Sequence, residues 1–144
     1  LESVGTDPLH ASVVRTVRSS DGGRNWSWMS RERALVHAGN RPKFSAYAPW
    51  LTRLPNGHLA CVFTSNERQE TPDAPGTPAH RLHGEVLMRL SADGGRTWSG
   101  PETIYQGGGR NYMPQLVVLG KNTGALLCLD FALEKFVCVP GRWK

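Results

Sequence analysis

The chain has 144 residues, of which 39% are hydrophobic and 20% are charged, a balance typical of a globular protein and not of a disordered one. No apolar run approaches the roughly 20 residues that a membrane-spanning helix needs, and nothing near Leu1 resembles a signal peptide. The net charge is +5, but the basic residues are scattered without aromatic interleaving, so no nucleic-acid partner is predicted. The basic surface would suit an acidic sugar, although a merely solvated surface is the commoner reason for such a charge.

The first predicted elements flank a short polar turn that occurs twice. An alternating apolar and polar run at 13–18 leads into Ser-Ser-Asp-Gly-Gly-Arg-Asn-Trp at 19–26. A second alternating run at 85–90 leads into Ser-Ala-Asp-Gly-Gly-Arg-Thr-Trp at 91–98, so the offset is 72 residues. Alternation that ends in Asp-Gly predicts a strand, a tight turn and a second strand in each copy.

A second pair of similar segments, 48–61 and 113–128, follows the first turn and then the second. The first of them contains Asn56-Gly57, a hairpin signal because both positions tolerate positive φ. The prolines of the two segments are 65 residues apart, whereas Cys61 and Cys128 are 67 apart. We therefore expect a two-residue insertion in the second turn, where insertions cost little.

Together the two repeats predict an all-β chain built from four-stranded antiparallel blades of a β-propeller, with no helix. The chain would hold the outer half of one blade (12–38), a complete blade (44–106) and the inner half of a third (109–139). The polar, Pro-rich stretch at 69–83 is predicted to be a loop insertion. Such a chain, about two blades in all, is expected to be a fragment that folds poorly alone, because apolar blade faces would be bare.

Each residue of the repeated turn has a structural role. The Asp accepts backbone amides, the second Gly permits positive φ, and the Trp buries its ring while its indole N–H reaches a carbonyl. The hydroxyls tie the ends of the turn together. These roles fall on Ser19, Asp21, Gly23 and Trp26 in the first copy and on Ser91, Asp93, Gly95, Thr97 and Trp98 in the second.

The pattern Ser-x-Asp-x-Gly-x-Thr-Trp, twice after matching strands, resembles the Asp boxes (BNR repeats) of the sialidase superfamily. The resemblance covers about residues 12–130, and the first copy departs from it only by Asn25 in place of Thr. It implies a six-bladed propeller and an exo-acting glycosidase that removes a terminal sialic-acid-type sugar from glycoconjugates. It also favours a secreted or extracytoplasmic location. Such enzymes hold the sugar carboxylate with arginines and use a carboxylic acid on the leaving oxygen.

In a blade, the loops between the second and third strands and the connections between blades lie opposite the Asp boxes. In this chain that face collects 41–47, 66–83, 106–112 and 130–135. The candidate substrate-binding residues are Glu67, Arg68, Arg110, Asn111 and Tyr112, and the candidate catalytic carboxylates are Asp130 and Glu134. For Arg68 with Glu67, an exposed local pair is an equally good interpretation, and Glu134 could be a solvated loop residue.

Two alternatives to a sialidase stay open. Exo-arabinanases share the propeller and use paired carboxylates, and the run 110–114 followed by an acidic residue suits them as well. A non-catalytic propeller that binds glycans is the alternative from another functional class, since Asp boxes indicate fold better than function.

Metals, cofactors and disulfides receive little support from the sequence. Cys61, Cys128 and Cys138 have no metal-ligand spacing, and the Asp-Gly-Gly turn is too short for a twelve-residue calcium loop. No metal or cofactor is therefore predicted. A disulfide between Cys128 and Cys138 is possible.

Overall fold

The computed structural model describes residues 2–4, 13–26, 34–37, 46–66, 84–107, 111–130 and 132–143. Within these ranges the chain is all-β, as the alternating apolar patterns predict, and contains no helix. The strands are β1 (Glu2–Val4), β2 (Val13–Thr16), β3 (Ala34–His37), β4 (Ala46–Arg53), β5 (Leu59–Ser65), β6 (Glu85–Ser91), β7 (Glu102–Gln106), β8 (Asn111–Val118), β9 (Thr123–Asp130) and β10 (Lys135–Arg142).

The strands form three antiparallel sheets that follow one another along the chain. Sheet 1 has the order β1-β2-β3, sheet 2 the order β4-β5-β6-β7, and sheet 3 the order β10-β9-β8. Sheet 2 lies within the segment 44–106, where four strands are predicted. Sheets 1 and 3 each hold one strand beyond the two predicted for them. The extra strand β10 contains Pro140 and Gly141, which argue against a strand in sequence, but it is an edge strand, where Pro is tolerated.

The first hairpins of sheets 2 and 3 share one register at a constant offset of 65 residues. Five residues separate the last paired positions in each hairpin, 54–58 in the first and 119–123 in the second. The predicted two-residue insertion is therefore wrong, and Cys61 corresponds in register to Leu126 and not to Cys128. Sequence could not separate the two alignments, because a shift by two residues keeps every side chain on the same face of its strand.

Sheet 2 is packed between the other two sheets. Because successive side chains of a strand point to opposite faces, β5 and β6 each contribute to both core layers. The layer between sheets 1 and 2 contains Val14, Val36, Ala46, Cys61, Phe63 and Leu87. The layer between sheets 2 and 3 contains Leu54, Ala60, Val62, Val86, Leu116, Leu126, Cys128 and Trp143.

Sheets 2 and 3 have two ends with different chemistry. The turns between β4 and β5, β6 and β7, and β8 and β9 lie at one end, which we call the turn edge. The other end, which we call the site edge, carries the row of paired residues Ala46, Ser65, Glu85 and Gln106 in sheet 2 and Asn111, Asp130 and Lys135 in sheet 3.

Candidate functional site

The first Asp box is closed by a network around Asp21. Its Oδ1 accepts the Asn25 amide at 2.9 Å and the Ser19 hydroxyl at 2.7 Å, and Ser19 Oγ accepts the Gly23 amide at 2.8 Å. The indole N–H of Trp26 donates to the Gly23 carbonyl at 2.9 Å. Gly23 has a φ of 90°, which its lack of a Cβ permits.

The second Asp box repeats this network around Asp93. Its Oδ1 accepts the amides of Arg96 and Thr97, both at 2.9 Å, while Oδ2 accepts the Thr97 hydroxyl at 2.6 Å. Ser91 Oγ accepts the Gly95 amide at 2.8 Å. In the first box the side-chain amide of Asn25 takes the place of the threonine hydroxyl, 2.5 Å from Asp21 Oδ2.

These bonds favour the ionised form of both carboxyl groups. The backbone amide of Asn25 and the side chains of Ser19 and Asn25 lower the pKa of Asp21 from 3.8 to about 2. The hydroxyl and amide of Thr97 hold the pKa of Asp93 lower still. Each carboxylate therefore stabilises the turn in which it lies.

The two Trp residues of the boxes differ. Trp98 packs against the core layer between sheets 1 and 2, and its buried indole N–H has no hydrogen-bond partner among the described residues. The carbonyl contact expected for this Trp is thus not seen there, whereas Trp26 has one. The second box also contacts sheet 1, since the Thr16 hydroxyl donates to the Gly95 carbonyl at 3.3 Å. The second box therefore forms part of the packing at the turn edge.

At the site edge, Asp130 is fully buried and both of its carboxylate oxygens accept hydrogen bonds. Oδ1 accepts the amides of Ala132 at 2.9 Å and Leu133 at 3.2 Å, which caps the turn between β9 and β10. Oδ2 accepts the Tyr105 hydroxyl at 3.0 Å. Asp130 therefore joins the turn to β7 of the neighbouring sheet.

Asn111 pairs with Asp130 in register and is also fully buried. Its side-chain Nδ2 donates to the Gly84 carbonyl at 2.6 Å, and its backbone carbonyl accepts the Thr64 hydroxyl at 2.6 Å. These two bonds fix the start of β8 against sheet 2. A side chain at Gly107 would collide with the carboxylate of Asp130, so a glycine is required where β7 ends.

Burial controls protonation around Asp130. Desolvation, then the hydrogen bond and charge of Asp130, raise the pKa of Tyr105 to about 12. Burial and the same charge raise the pKa of the Cys128 thiol to about 11, and burial raises that of Cys61 to about 12. Both thiols are therefore protonated and inert at neutral pH. Cys128 is buried while Cys138 is exposed on the opposite face of sheet 3, and the structure contains no disulfide between them.

The remaining predicted residues divide into those that the structure places and those that it does not describe. Tyr112 is half-buried in β8, with its ring centroid 6.1 Å from that of Tyr47. Glu134 is exposed in the β9–β10 turn, with a φ of 52°. The three others, Glu67, Arg68 and Arg110, lie outside the described residues.

Sequence reasoning did not select three residues at or near the site edge as candidates, although it placed 41–47, with Tyr47, on that face. Glu85 is buried and accepts the Thr103 hydroxyl at 2.7 Å, and Tyr105 is the partner of Asp130. Tyr47 contacts Tyr112. A signal existed for Tyr47, because it lies two residues before a Pro, as Tyr112 does at an offset of 65.

Comparison with known proteins adds no relative. No protein-family model matches the chain, and no curated protein matches it significantly. In the ranges that the structure describes, no helix has the length and apolarity to cross a bilayer. In those ranges, no three His, Cys, Asp or Glu side chains lie together as a metal site.

Proposed function

We propose that the chain forms consecutive blades of a sialidase-like β-propeller and belongs to an exo-acting glycosidase that removes a terminal sialic-acid-type sugar from glycoconjugates. The observation that carries this proposal is the pair of Asp boxes. In both boxes the Ser hydroxyl oxygen accepts the amide of the second Gly, and the Asp carboxylate accepts the amide four residues later. Both boxes also follow a strand of a sheet that packs face to face on its neighbour. Two unrelated turns would not be expected to share both these hydrogen bonds and this position after a strand of a packed sheet.

The chemistry of the site edge supports a carbohydrate ligand. It carries a half-buried aromatic ring at Tyr112 and an exposed carboxylate at Glu134. Two predicted arginines are close to this edge in sequence, since Arg110 precedes Asn111 directly and Arg68 follows Asn66 by two residues. Their guanidinium groups would bind the sugar carboxylate bidentately.

The two candidate carboxylates receive different roles in this proposal. Glu134 is exposed and would serve as the carboxylate that reaches substrate. Asp130 is buried with both oxygens occupied, so it would position the β9–β10 turn on which Glu134 lies. An exo-arabinanase would need two carboxylates that face the sugar. The burial of Asp130 therefore makes that alternative less favoured.

The same burial favours a second candidate, a propeller that binds glycans without cleaving them. If Glu134 is merely solvated, the described residues of the site edge offer aromatic and polar contacts but no accessible group for proton transfer. Binding of a sialylated glycan without hydrolysis would then be the activity of this face.

The test uses the intact protein with a fluorogenic sialoside and a fluorogenic arabinoside. We expect release from the sialoside, with kcat/KM reduced about 10- to 100-fold by Arg110→Ala, because hydrogen bonds to charged groups contribute about 1.5–3 kcal/mol. Arg53→Ala, an exposed arginine near the turn edge, is the matched control and should keep full activity. Release from the arabinoside alone would favour the arabinanase. Silence on both, with sialoside binding retained, would favour the glycan-binding module.

A further inference from the structure

The first strands of sheets 2 and 3 share an irregularity close to the site edge. In β4, Ala48 and Pro49 together face one residue of β5, and in β8, Met113 and Pro114 together face one residue of β9. Ala48 and Met113 have φ values of 51° and 52°, a region that non-glycine residues seldom adopt. Such backbone is energetically unfavourable and is concentrated at ligand sites, where bulges redirect side chains.

Each bulge directly follows a tyrosine. The rings of Tyr47 and Tyr112 lie 6.1 Å apart with their planes at 38°, within the range of favourable aromatic pairs. Both side chains are half-buried, so each is packed yet accessible to a ligand. The same motif on two neighbouring edge strands thus brings two aromatic rings together.

The surroundings hold this pair rigidly. A Cβ at Gly84 would lie 3.3 Å from the Tyr47 hydroxyl and 3.0 Å from Thr64 Cγ2, so the Tyr47 side chain occupies a closely packed position. Tyr112 follows Asn111, whose side-chain Nδ2 donates to the Gly84 carbonyl and whose backbone carbonyl accepts the Thr64 hydroxyl. A rigid aromatic anchor gives up little conformational entropy when it binds a ligand.

We propose that Tyr112 stacks against the apolar face of the terminal sugar ring and that Tyr47 is the positioning residue that fixes the Tyr112 ring. The proposal rests on the proposed function and extends it to the subsite that holds the sugar ring. Stacking needs the aromatic ring of Tyr112 and not its hydroxyl. Tyr47 acts through Tyr112, so its loss should weaken binding without removing a reacting group.

The experiment measures fluorogenic sialoside kinetics and the binding of free N-acetylneuraminic acid by ligand-observed NMR, both with the intact protein. We expect Tyr112→Leu to weaken binding about 5- to 30-fold and Tyr112→Phe to change it less than about twofold. Tyr47→Leu should raise KM several-fold with kcat within about twofold, and Tyr47→Phe should restore the wild-type value. Trp50→Leu, which removes an exposed aromatic ring from β4 beyond the bulge, should bind as the wild type does.

Each contrary outcome points to a separate failure. Wild-type binding by a folded Tyr112→Leu variant, checked by its melting temperature, would overturn the stacking role while the proposed function stands. A loss in Tyr112→Phe equal to that in Tyr112→Leu would also overturn it, since the hydroxyl would then make the contact. An unchanged KM in Tyr47→Leu would refute the positioning role. A wild-type protein that neither cleaves the sialoside nor binds the sugar would overturn both proposals.

Discussion

Asp21 and Asp93 show at the scale of single residues how the boxes depend on charge. Their pKa values lie below the ordinary 3.8, with that of Asp21 at about 2. Because the pKa of each carboxyl group is lower in the folded chain than in the unfolded one, its ionised form stabilises the fold. This contribution is complete at pH values above the unfolded-state pKa, and it is lost as the pH falls through the folded-state pKa. The boxes should therefore weaken between about pH 4 and pH 2 and below.

This gives a prediction for Asp93→Asn. The variant no longer carries an ionisable group at this position, so its melting temperature should fall less steeply than that of the wild type between pH 4 and pH 2. Circular dichroism at a series of pH values measures the difference. Glu102→Gln, an exposed carboxylate on β7, is the control and should keep the wild-type slope. If the melting temperatures of the wild type and Asp93→Asn fell in parallel with pH, the Asp93 carboxylate would not contribute to the pH dependence of stability.

Gly124 supplies a second prediction at this scale. A Cβ there would lie 2.5 Å from the Trp143 ring and 2.7 Å from the Val117 carbonyl, so Gly124→Ala should destabilise the fold by about 1–3 kcal/mol. Gly141 faces Gly124 across β9 and β10, and its Cβ would meet nothing within 4 Å. Gly141→Ala is thus the matched control, and chemical denaturation of both variants gives the comparison. Equal stability of the two would contradict the packing of Trp143 on Gly124.

What the sequence could predict at this scale depends on how local the cause is. The turn of each box follows from Asp, Gly and a hydroxyl within a few residues, so the positions of Ser19, Asp21 and Gly23 could be interpreted directly. Asp130 could not, because its partner Tyr105 is 25 residues away on a strand of another sheet. Its place at the end of an apolar run indicated burial but not the role in the turn.

At the scale of elements, the alternating patterns predicted where strands occur better than how they pair. The stretch 46–106 became a four-stranded sheet, because apolar alternation and Asn-Gly or Asp-Gly turns agree there. The bulges in β4 and β8 were not predicted. A Pro within a strand indicates an irregularity, but the two-against-one pairing is set by the neighbouring strand and not by local sequence.

The bulge in β8 leads to a prediction for Met113, which is 55% exposed and has a φ of 52°. A β-branched side chain fits poorly at positive φ, so Met113→Val should destabilise the fold by about 1–3 kcal/mol although few contacts change. Gln115→Val, at an exposed position of the same strand beyond the bulge, should have little effect. Denaturation of both variants tests this, and equal stabilities would count against the strained backbone.

At the scale of the whole molecule, neighbouring sheets cover both faces of sheet 2, whereas no described part of the chain covers the outer face of sheet 3. The core layers lie between consecutive sheets, while the side chains of Val117 and Phe136 on the outer face of sheet 3 are 38% and 73% exposed. Leu127 and Leu129 alternate with core residues of β9 and point to this same face. In the proposed propeller a further blade would cover it.

An uncovered apolar face predicts that the 144-residue chain self-associates in solution, because apolar patches of this kind are rarely left exposed in monomers. Sedimentation velocity under reducing conditions, which removes any disulfide through Cys138, should show association that grows with concentration. Phe136→Glu places a charge on the face and should shift that association to at least about tenfold higher concentration. Leu119→Glu, which is 67% exposed in a turn at the turn edge, should leave the association as it is. If Phe136→Glu and Leu119→Glu affected the association equally, the contact would lie elsewhere on the chain. A wild-type chain that is monomeric at every concentration would contradict the prediction, because the outer face of sheet 3 would then be stable in contact with water.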